Sequence, residues 1–493
     1  MNYIGISAGF HDASLSVVSS QGDILFAGHS ERYSKKKHDK NLCSEIIQDA
    51  MYYASEHYEL HYYEKPWLKA IRQFRAGQKL GPFTFRQIIG EELSAQLGDR
   101  PVTTHIHHKS HAAAGFQTSP FDHATVVIID AIGELDCISI WDACYDKNGT
   151  AHYTKLWSKQ YPNSIGLFYS AMTQRVGLKP NEEEYILMGM AAYGKPSYAN
   201  RMVSTFMTDL FDLDFRHNLH IGLEHDNFLV KADEMDIASS AQLVVETLIE
   251  KVMHKAFRLG SSKNLVYGGG VALNCLANRL LGKYFNNIWI VPNPGDAGNS
   301  LGAAALGYGK KLNWTDAFLG YEIQGEYPVD KIIKELKKNK MVGVANGRAE
   351  YGPRALGNRS LLADPRGPEI KDKVNEIKRR QKFRPFAPVI LEEYVDQYFI
   401  MPIGWRDSRY MQVIATCRHP DLYPAIVHHD GTSRVQTVPK DRSGIRQLLE
   451  AWYAKTGCPM LLNTSLNIRG EPMVNDRSDA DRFEKLYNLK VIS

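Results

Sequence analysis

Four of the chain's histidines stand within residues 105–111, in the stretch HIHHKSHAAAGF. Imidazole nitrogens take up protons and transition metals near neutral pH, so such a cluster can serve as a metal site or as a base. Spacing narrows the choice. His107 and His111, four apart, share one face of a helix that starts at His107; His108 and His111, three apart, are the competing pair. By itself an i, i+4 pair also fits ordinary surface or core histidines. Two carboxylates elsewhere offer hard oxygen ligands: Asp130 closes the apolar stretch TVVIID, where an unbalanced charge is costly, and Asp296 sits in the glycine loop NPGDAGNS. Two imidazoles with two carboxylates suit a divalent transition ion, Fe or Zn better than Mn.

These residues need a scaffold, and the sequence repeats one. YIGIS, a turn with Gly9 and Asp12, and SLSVV read as strand, turn and strand; TVVIID, AIGELD and CISIW repeat the pattern more than a hundred residues on. NLVYGGGVALNCLANR is a short strand, the glycine run Gly268, Gly269 and Gly270, and a helix-like run whose start would suit a phosphorylated ligand. WIVPNPGDAGNSLGAAALGYG is a strand, a loop and a helix of small residues suited to close packing. After YEIQGEYP the composition changes: VDKIIKELKKNK is amphipathic, and MVGVA begins a fresh strand. The expected organisation is two α/β domains, residues 1–325 and 326–493.

Bulk properties exclude several classes. At 493 residues, 44% hydrophobic and 23% charged, the chain is globular rather than disordered or fibrous. Its six cysteines form no CxxC pair, which points to a reducing compartment, the cytoplasm. No secretory leader or membrane-spanning apolar run is read. Net charge of +4 is compatible with an anionic substrate but short of a nucleic-acid footprint; the basic runs 32–40 and 68–79 read first as solvated faces.

Taken in order, HHKSHAAA, Asp130, EYILMGMAAYGKP, YGGGVALNC, NPGDAGNSLGAA, YGPRALGNRSLLADPR, FRPFAPVI, GTSRVQTV and NTSLNIRGEP resemble the NodU/CmcH carbamoyltransferase family, over nearly the whole chain. The resemblance implies an actin-like, duplicated ATPase-core N-terminal domain carrying a metal, followed by a YrdC-like α/β C-terminal domain. It implies carbamoyl phosphate and ATP, with Mg, as substrates. The C-terminal domain would make carbamoyl adenylate and the N-terminal domain would pass the carbamoyl group to a hydroxylated acceptor. Carried over residue by residue, it assigns His107, His111, Asp130 and Asp296 to the metal, with Fe favoured, and leaves His105 and His108 either as bystanders or as supports behind the ligands. It assigns Gly268, Gly269, Gly270 and Asn274 to the nucleotide, and places His11, Asp12, Lys37 and His38 at the transfer site, so that the first basic run becomes functional.

Joining two polyanions requires fixed cations and donors. The expected set is Arg354, Arg384, Arg434, Asn463 and Ser465, with a cation from the run Lys378, Arg379, Arg380 and Lys382. The acceptor's proton needs a base; candidates are His11, Asp12, Glu183 and Glu184, with Glu182 beside them. Ile186 stands where many relatives are expected to carry lysine. Alternatives are carbamoylation of a hydroxymethylated pyrimidine nucleotide or DNA base, a sugar- or acetate-kinase-like phosphotransferase, and a non-catalytic nucleotide-binding regulator. Nucleic acid is the less favoured partner, no membrane partner is expected, and a homo-oligomer is compatible.

Overall fold

The computed structural model describes residues 1–223, 226–441 and 444–493. The chain divides into two compact units, one of residues 1–30 and 38–315, the other of residues 31–37 and 316–493. The second therefore starts at Asp316 rather than at 326, because the strand Phe318–Ile323 pairs with Gly347–Glu350 of the same unit. It also takes in part of the first basic run: the Arg32 guanidinium is buried and donates to the Gly352 carbonyl.

Two five-stranded sheets form the first unit. One runs Ile24–His29, Ser14–Val18, Asn2–Ser7, Tyr58–Tyr62, Val102–Thr104; the other runs Ala151–Gln160, Asp136–Tyr145, His123–Ile129, Asn264–Gly268, Asn287–Trp289. Each is an antiparallel three-strand meander whose first strand in sequence pairs in parallel with the fourth, which pairs in parallel with the fifth. The same topology appears twice. Central strands such as ATVVII are buried on both faces, which is why they read as unbroken apolar runs rather than alternating ones.

Two small-residue helices, His107–Phe116 and Asn299–Tyr308, pack on each other, and the second also packs on Asn2–Ser7. Their closeness is steric: a Cβ on Gly302 would lie 1.9 Å from the Ser110 carbonyl oxygen. Hydroxyls fix the depth. The Ser14 hydroxyl donates to the Ala297 carbonyl at 2.6 Å, Ser16 and Ser300 hydroxyls meet at 2.7 Å, and the Ser110 hydroxyl donates to the Tyr63 carbonyl at 2.8 Å. This contact carries Asp296, just ahead of the second helix, to the first turn of the histidine helix.

In the second unit a six-stranded mixed sheet runs Gln436–Val438, Ala387–Leu391, Met460–Ser465, Arg359–Ala363, Met341–Ala345, Val491–Ile492. Its core gathers Leu361, Leu362, Val389, Ile390, Leu461 and Leu462 with Ile332, Leu336, Leu448 and Trp452 from the helices Val329–Asn339 and Ile445–Thr456. Among the described residues no helix is long and apolar enough to cross a membrane, and the six cysteines are unpaired.

Gly302→Val drives a branched side chain into the Ser110 backbone. It is expected to destabilise the first unit by about 3 kcal/mol, read as a lowered urea midpoint, whereas Gly309→Val, where a Cβ meets nothing within 4 Å, costs less and through its left-handed backbone alone.

Candidate functional site

His107 opens its helix and His111 follows one turn later, so both rings point the same way. Their Nε2 atoms stand 3.1 Å apart. Asp130 Oδ2 lies 3.1 Å from His107 Nε2 and 3.2 Å from His111 Nε2; Asp296 Oδ1 lies 3.2 and 3.3 Å from the same atoms. All four side chains are buried. Ligands at about 2.0–2.2 Å around one ion have this mutual spacing. Asp296 Oδ1 has no hydrogen-bond partner among the described residues. The residues therefore fit a cation. Without one, protons stand in: burial would lower both histidines, but Asp130 and Asp296 outweigh it and lift His107 well above its ordinary value and His111 less far. Burial opposes ionisation of Asp130 too, yet the two imidazoles hold its carboxyl well below the usual range.

Around the cluster lie groups of three kinds. His11 Nδ1 meets Asp12 Oδ2 at 2.9 Å, His38 Nδ1 meets Asp12 Oδ1 at 2.8 Å, and His11 Nε2 is 3.6 Å from Asp296 Oδ2. Burial would raise Asp12; the two histidines instead hold it far below its ordinary value. His108 Nδ1 faces the Ser139 hydroxyl at 2.7 Å and His105 pairs with His61 at 3.1 Å, so both histidines turn away from the cluster. Two buried carboxylates were not singled out from sequence. Glu134 accepts the His107 backbone N–H at 3.0 Å and that of Lys65 at 2.8 Å, and Glu64 receives the Lys69 ammonium at 2.8 Å. Glu64 follows the apolar strand end LHYY as Asp130 follows VVII, and that shared pattern was the available signal.

The glycine run adjoins the cluster: the Gly270 N–H donates to Asp130 Oδ1 at 3.2 Å. Gly269 has φ +88°, and a Cβ there would sit 2.2 Å from the Ile129 carbonyl oxygen. The expected helix after the glycines is absent. In its place stand a 3-10 turn, Gly270–Leu273, and one helical turn, Cys275–Asn278, because Asn274 breaks the run and caps the second turn, accepting the Ala277 N–H at 3.1 Å. The Asn274 amide is otherwise exchanged with Gln242, both bonds at 3.0 Å, in a buried network with Tyr169 and Glu246. Glu182 and Glu183 close the turn before the helix Glu184–Met190 and Glu184 opens that helix; Glu182 pairs with Lys179, Glu183 accepts the Lys179 N–H, and Glu184 accepts the Ser170 hydroxyl at 2.6 Å. Ile186 is buried in the same helix.

The second unit holds a separate constellation. Lys378 is 4% exposed, and its Nζ donates to the Ser465 carbonyl and hydroxyl and to the carbonyl and Oδ1 of Asn467, the last two at 2.9 and 3.0 Å. Burial depresses its pKa well below normal, and the charges that add to this, Arg380, Arg384 and Lys37, are all positive. Arg379 is turned away, its backbone at φ +50° and its guanidinium 5.3 Å from the Tyr487 ring centre; Arg380 lies over Phe386 and donates to Asn375 Oδ1 at 2.7 Å. Asn463, two residues before Ser465 on the same strand, donates to Gln436 Oε1 at 2.7 Å and to the Ala355 carbonyl at 3.1 Å, which anchors the loop carrying Arg354. Arg434 ends the strand Thr432–Arg434, half-buried. Lys382 is placed in the turn before Arg384 with no bond that joins its side chain to Lys378. Asn467 was missed, although it stands two residues after Ser465 in TSLN.

An α/β protein with a buried His2Asp2 cluster and a cationic cradle is the class this geometry defines. HypF of T. kodakarensis, a solved structure, is 13% identical with a TM-score of 0.36, over 62% of this chain and 48% of that one. The uncharacterized protein sll1178 of Synechocystis sp. is 32% identical over 97% of this chain and 93% of its own length. The nodulation protein NolO of Bradyrhizobium diazoefficiens is 31% identical, over 76% and 75%. Family models for the carbamoyltransferase N-terminus and C-terminus match residues 63–305 and 333–492. The chain belongs to the carbamoyltransferase family.

Asp296→Asn or His111→Ala removes one of four ligands and is expected to weaken zinc or iron(II) binding by 100-fold or more in competition with a chelator. In the unmodified protein the apparent affinity is expected to fall as pH falls, because protons compete for the same nitrogens; equal affinity at pH 6 and pH 8 would exclude the imidazoles as ligands.

Proposed function

We propose that this protein is an ATP-dependent O-carbamoyltransferase that works in two stages, in the cytoplasm. The observation that carries the reading is the pairing, in one family member, of a cationic cradle around Lys378 with a His2Asp2 cluster beside a glycine run. The first unit is read as a duplicated, actin-like ATPase core, on the strength of its twice-used sheet topology, and the second as YrdC-like.

In the second unit water attacks the phosphorus of carbamoyl phosphate, the P–O bond to the carbamoyl group breaks and inorganic phosphate leaves; the carbamate oxygen so freed attacks the α-phosphorus of ATP and breaks its bond to the bridging oxygen. Carbamoyl adenylate forms and pyrophosphate departs. Lys378, Arg354, Arg384 and Arg434 hold the negative oxygens, with Lys37 close to Lys378; Ser465 and Asn463 orient the planar carbamoyl end. Arg379 and Lys382 have no part in this reading.

In the first unit the acceptor hydroxyl attacks the carbamoyl carbon, the bond to the phosphate oxygen breaks, and AMP leaves. His107, His111, Asp130 and Asp296 would hold a divalent transition ion, which supplies positive charge to the oxygens of the mixed anhydride. His11 is oriented through Nδ1 by Asp12 and presents Nε2 toward the cluster; burial would lower its pKa, but Asp12, Asp296 and Asp130 push it up to about 9, so it takes the hydroxyl proton once the charge of the cluster's carboxylates is balanced, and His38 steadies Asp12 from its other oxygen. Gly270, without a side chain, lets the nucleotide lie close to the backbone. Glu183 and Glu184, occupied by their own hydrogen bonds, are not assigned the proton.

Incubation with ATP, labelled carbamoyl phosphate and a panel of alcohols is expected to give AMP, pyrophosphate and one alcohol heavier by a carbamoyl group. Release of ADP instead would establish a kinase-like phosphotransfer and overturn the reading. Lys378→Met and Arg384→Ala are each expected to slow pyrophosphate release by about 100-fold while metal binding in the first unit stays unchanged.

A further inference from the structure

We propose that Glu64, held by Lys69, is the positioning residue of the metal cluster: its carboxylate fixes the His107 ring so that Nε2 faces Asp130 and Asp296. The inference deepens the proposed function and rests on that reading of the cluster as a metal site.

His107 has two ring nitrogens, and one is spent in the cluster. The other, Nδ1, is buried with no hydrogen-bond partner among the described residues. The anion facing it is Glu64, whose Oε2 lies 3.8 Å away. Tyr63 closes the side of the ring, centroid to centroid 5.1 Å, so the imidazole has little room to turn. Glu134, the other buried carboxylate at this helix start, is occupied by two backbone N–H groups and leaves the ring to Glu64.

Glu64 is 2% exposed and would not stay charged there unaided. Burial raises its pKa, and Lys69 and His107 more than reverse that. The Lys69 ammonium, 2.8 Å from Oε1, comes from the helix Pro66–Arg75. That helix is inside out. Lys69 and Arg72 turn inward, Arg72 buried against the Gly133 carbonyl and the Tyr161 ring, while Trp67 and Phe74 are 47% and 71% exposed. The run 68–79, expected as a solvated basic face, thus sends Lys69 to Glu64 and Arg72 to the Gly133 carbonyl beside Glu134 in sequence. A helix surrenders the usual burial of its aromatic residues only for a strong competing demand, and two buried carboxylates beside the histidine helix are that demand. Carboxylates behind a ligating histidine orient the ring and raise its basicity, and losing one typically costs 10- to 100-fold in metal affinity.

The test uses the full-length chain stripped of metal and titrated with cobalt(II). Glu64→Gln keeps the shape and removes the acceptor strength; Glu64→Asp keeps the charge but withdraws it by one methylene. Each is expected to bind cobalt 10- to 100-fold more weakly than wild type and to show a changed cobalt absorption band, with pyrophosphate release in the second unit unaltered. If one variant fails to fold, the other carries the test. Wild-type cobalt affinity and spectrum in a folded variant overturns the proposal, as does a wild-type protein that takes up no cobalt. Wild-type protein that binds cobalt yet transfers no carbamoyl group to any acceptor overturns the proposed activity and not the role of Glu64.

Discussion

Two imidazole nitrogens 3.1 Å apart each stand 3.1 to 3.3 Å from two carboxylate oxygens, all four side chains buried, and the first unit is arranged to keep them there. Two carboxylates so close and so buried cannot both stay ionised without positive charge between them. That requirement explains the surroundings. The four side chains come from three places: His107 and His111 from the start of one helix, Asp130 from the end of a central strand, Asp296 from the turn ahead of a second helix. No local segment could gather them, so the site exists only when both sheets and both helices are assembled.

Close packing of small side chains makes this assembly accurate. The helices HHKSHAAAGF and NSLGAAALGY lack the bulky apolar stripe of an ordinary amphipathic helix; alanine, glycine and serine let backbones approach until a carbonyl lies where a Cβ would be. What such helices lose in apolar area they regain in contact density and in the hydroxyl bonds of Ser14, Ser16 and Ser110. Position along the helix axis is then set to a fraction of an ångström, which a ligand set of fixed spacing requires.

Much of the first unit was legible from sequence because its signals are local. Repeated strand, turn and strand patterns pointed to a duplicated α/β core, and each sheet has the same order and sense. The i, i+4 histidines and an aspartate at the end of an apolar strand were visible as chemistry without a fold. What stayed hidden depends on tertiary context. Nothing in YYEKP says that Glu64 will be buried, or that Lys69 will follow it inward instead of lying in water. The helix expected after Gly270 was cut short by Asn274, whose amide was bound to Gln242 on a distant helix. In the second unit Arg379 looked equivalent to its neighbours, yet a left-handed backbone turns it out while Lys378 goes in. Periodicity carries no information about such a reversal within two residues.

Glu31–Lys37 leaves the first unit after Ser30, joins the second, and the chain returns at His38 before departing for good at Asp316. Arg32, under the Gly352 carbonyl, and Lys35, paired with Asp479, are therefore parts of a body whose remaining residues lie nearly three hundred positions downstream. The backbone is stitched between its two halves at three places instead of hinged at one. A fragment starting at residue 316 would lack the seven residues 31–37 and with them the Arg32 and Lys35 bonds inside that unit.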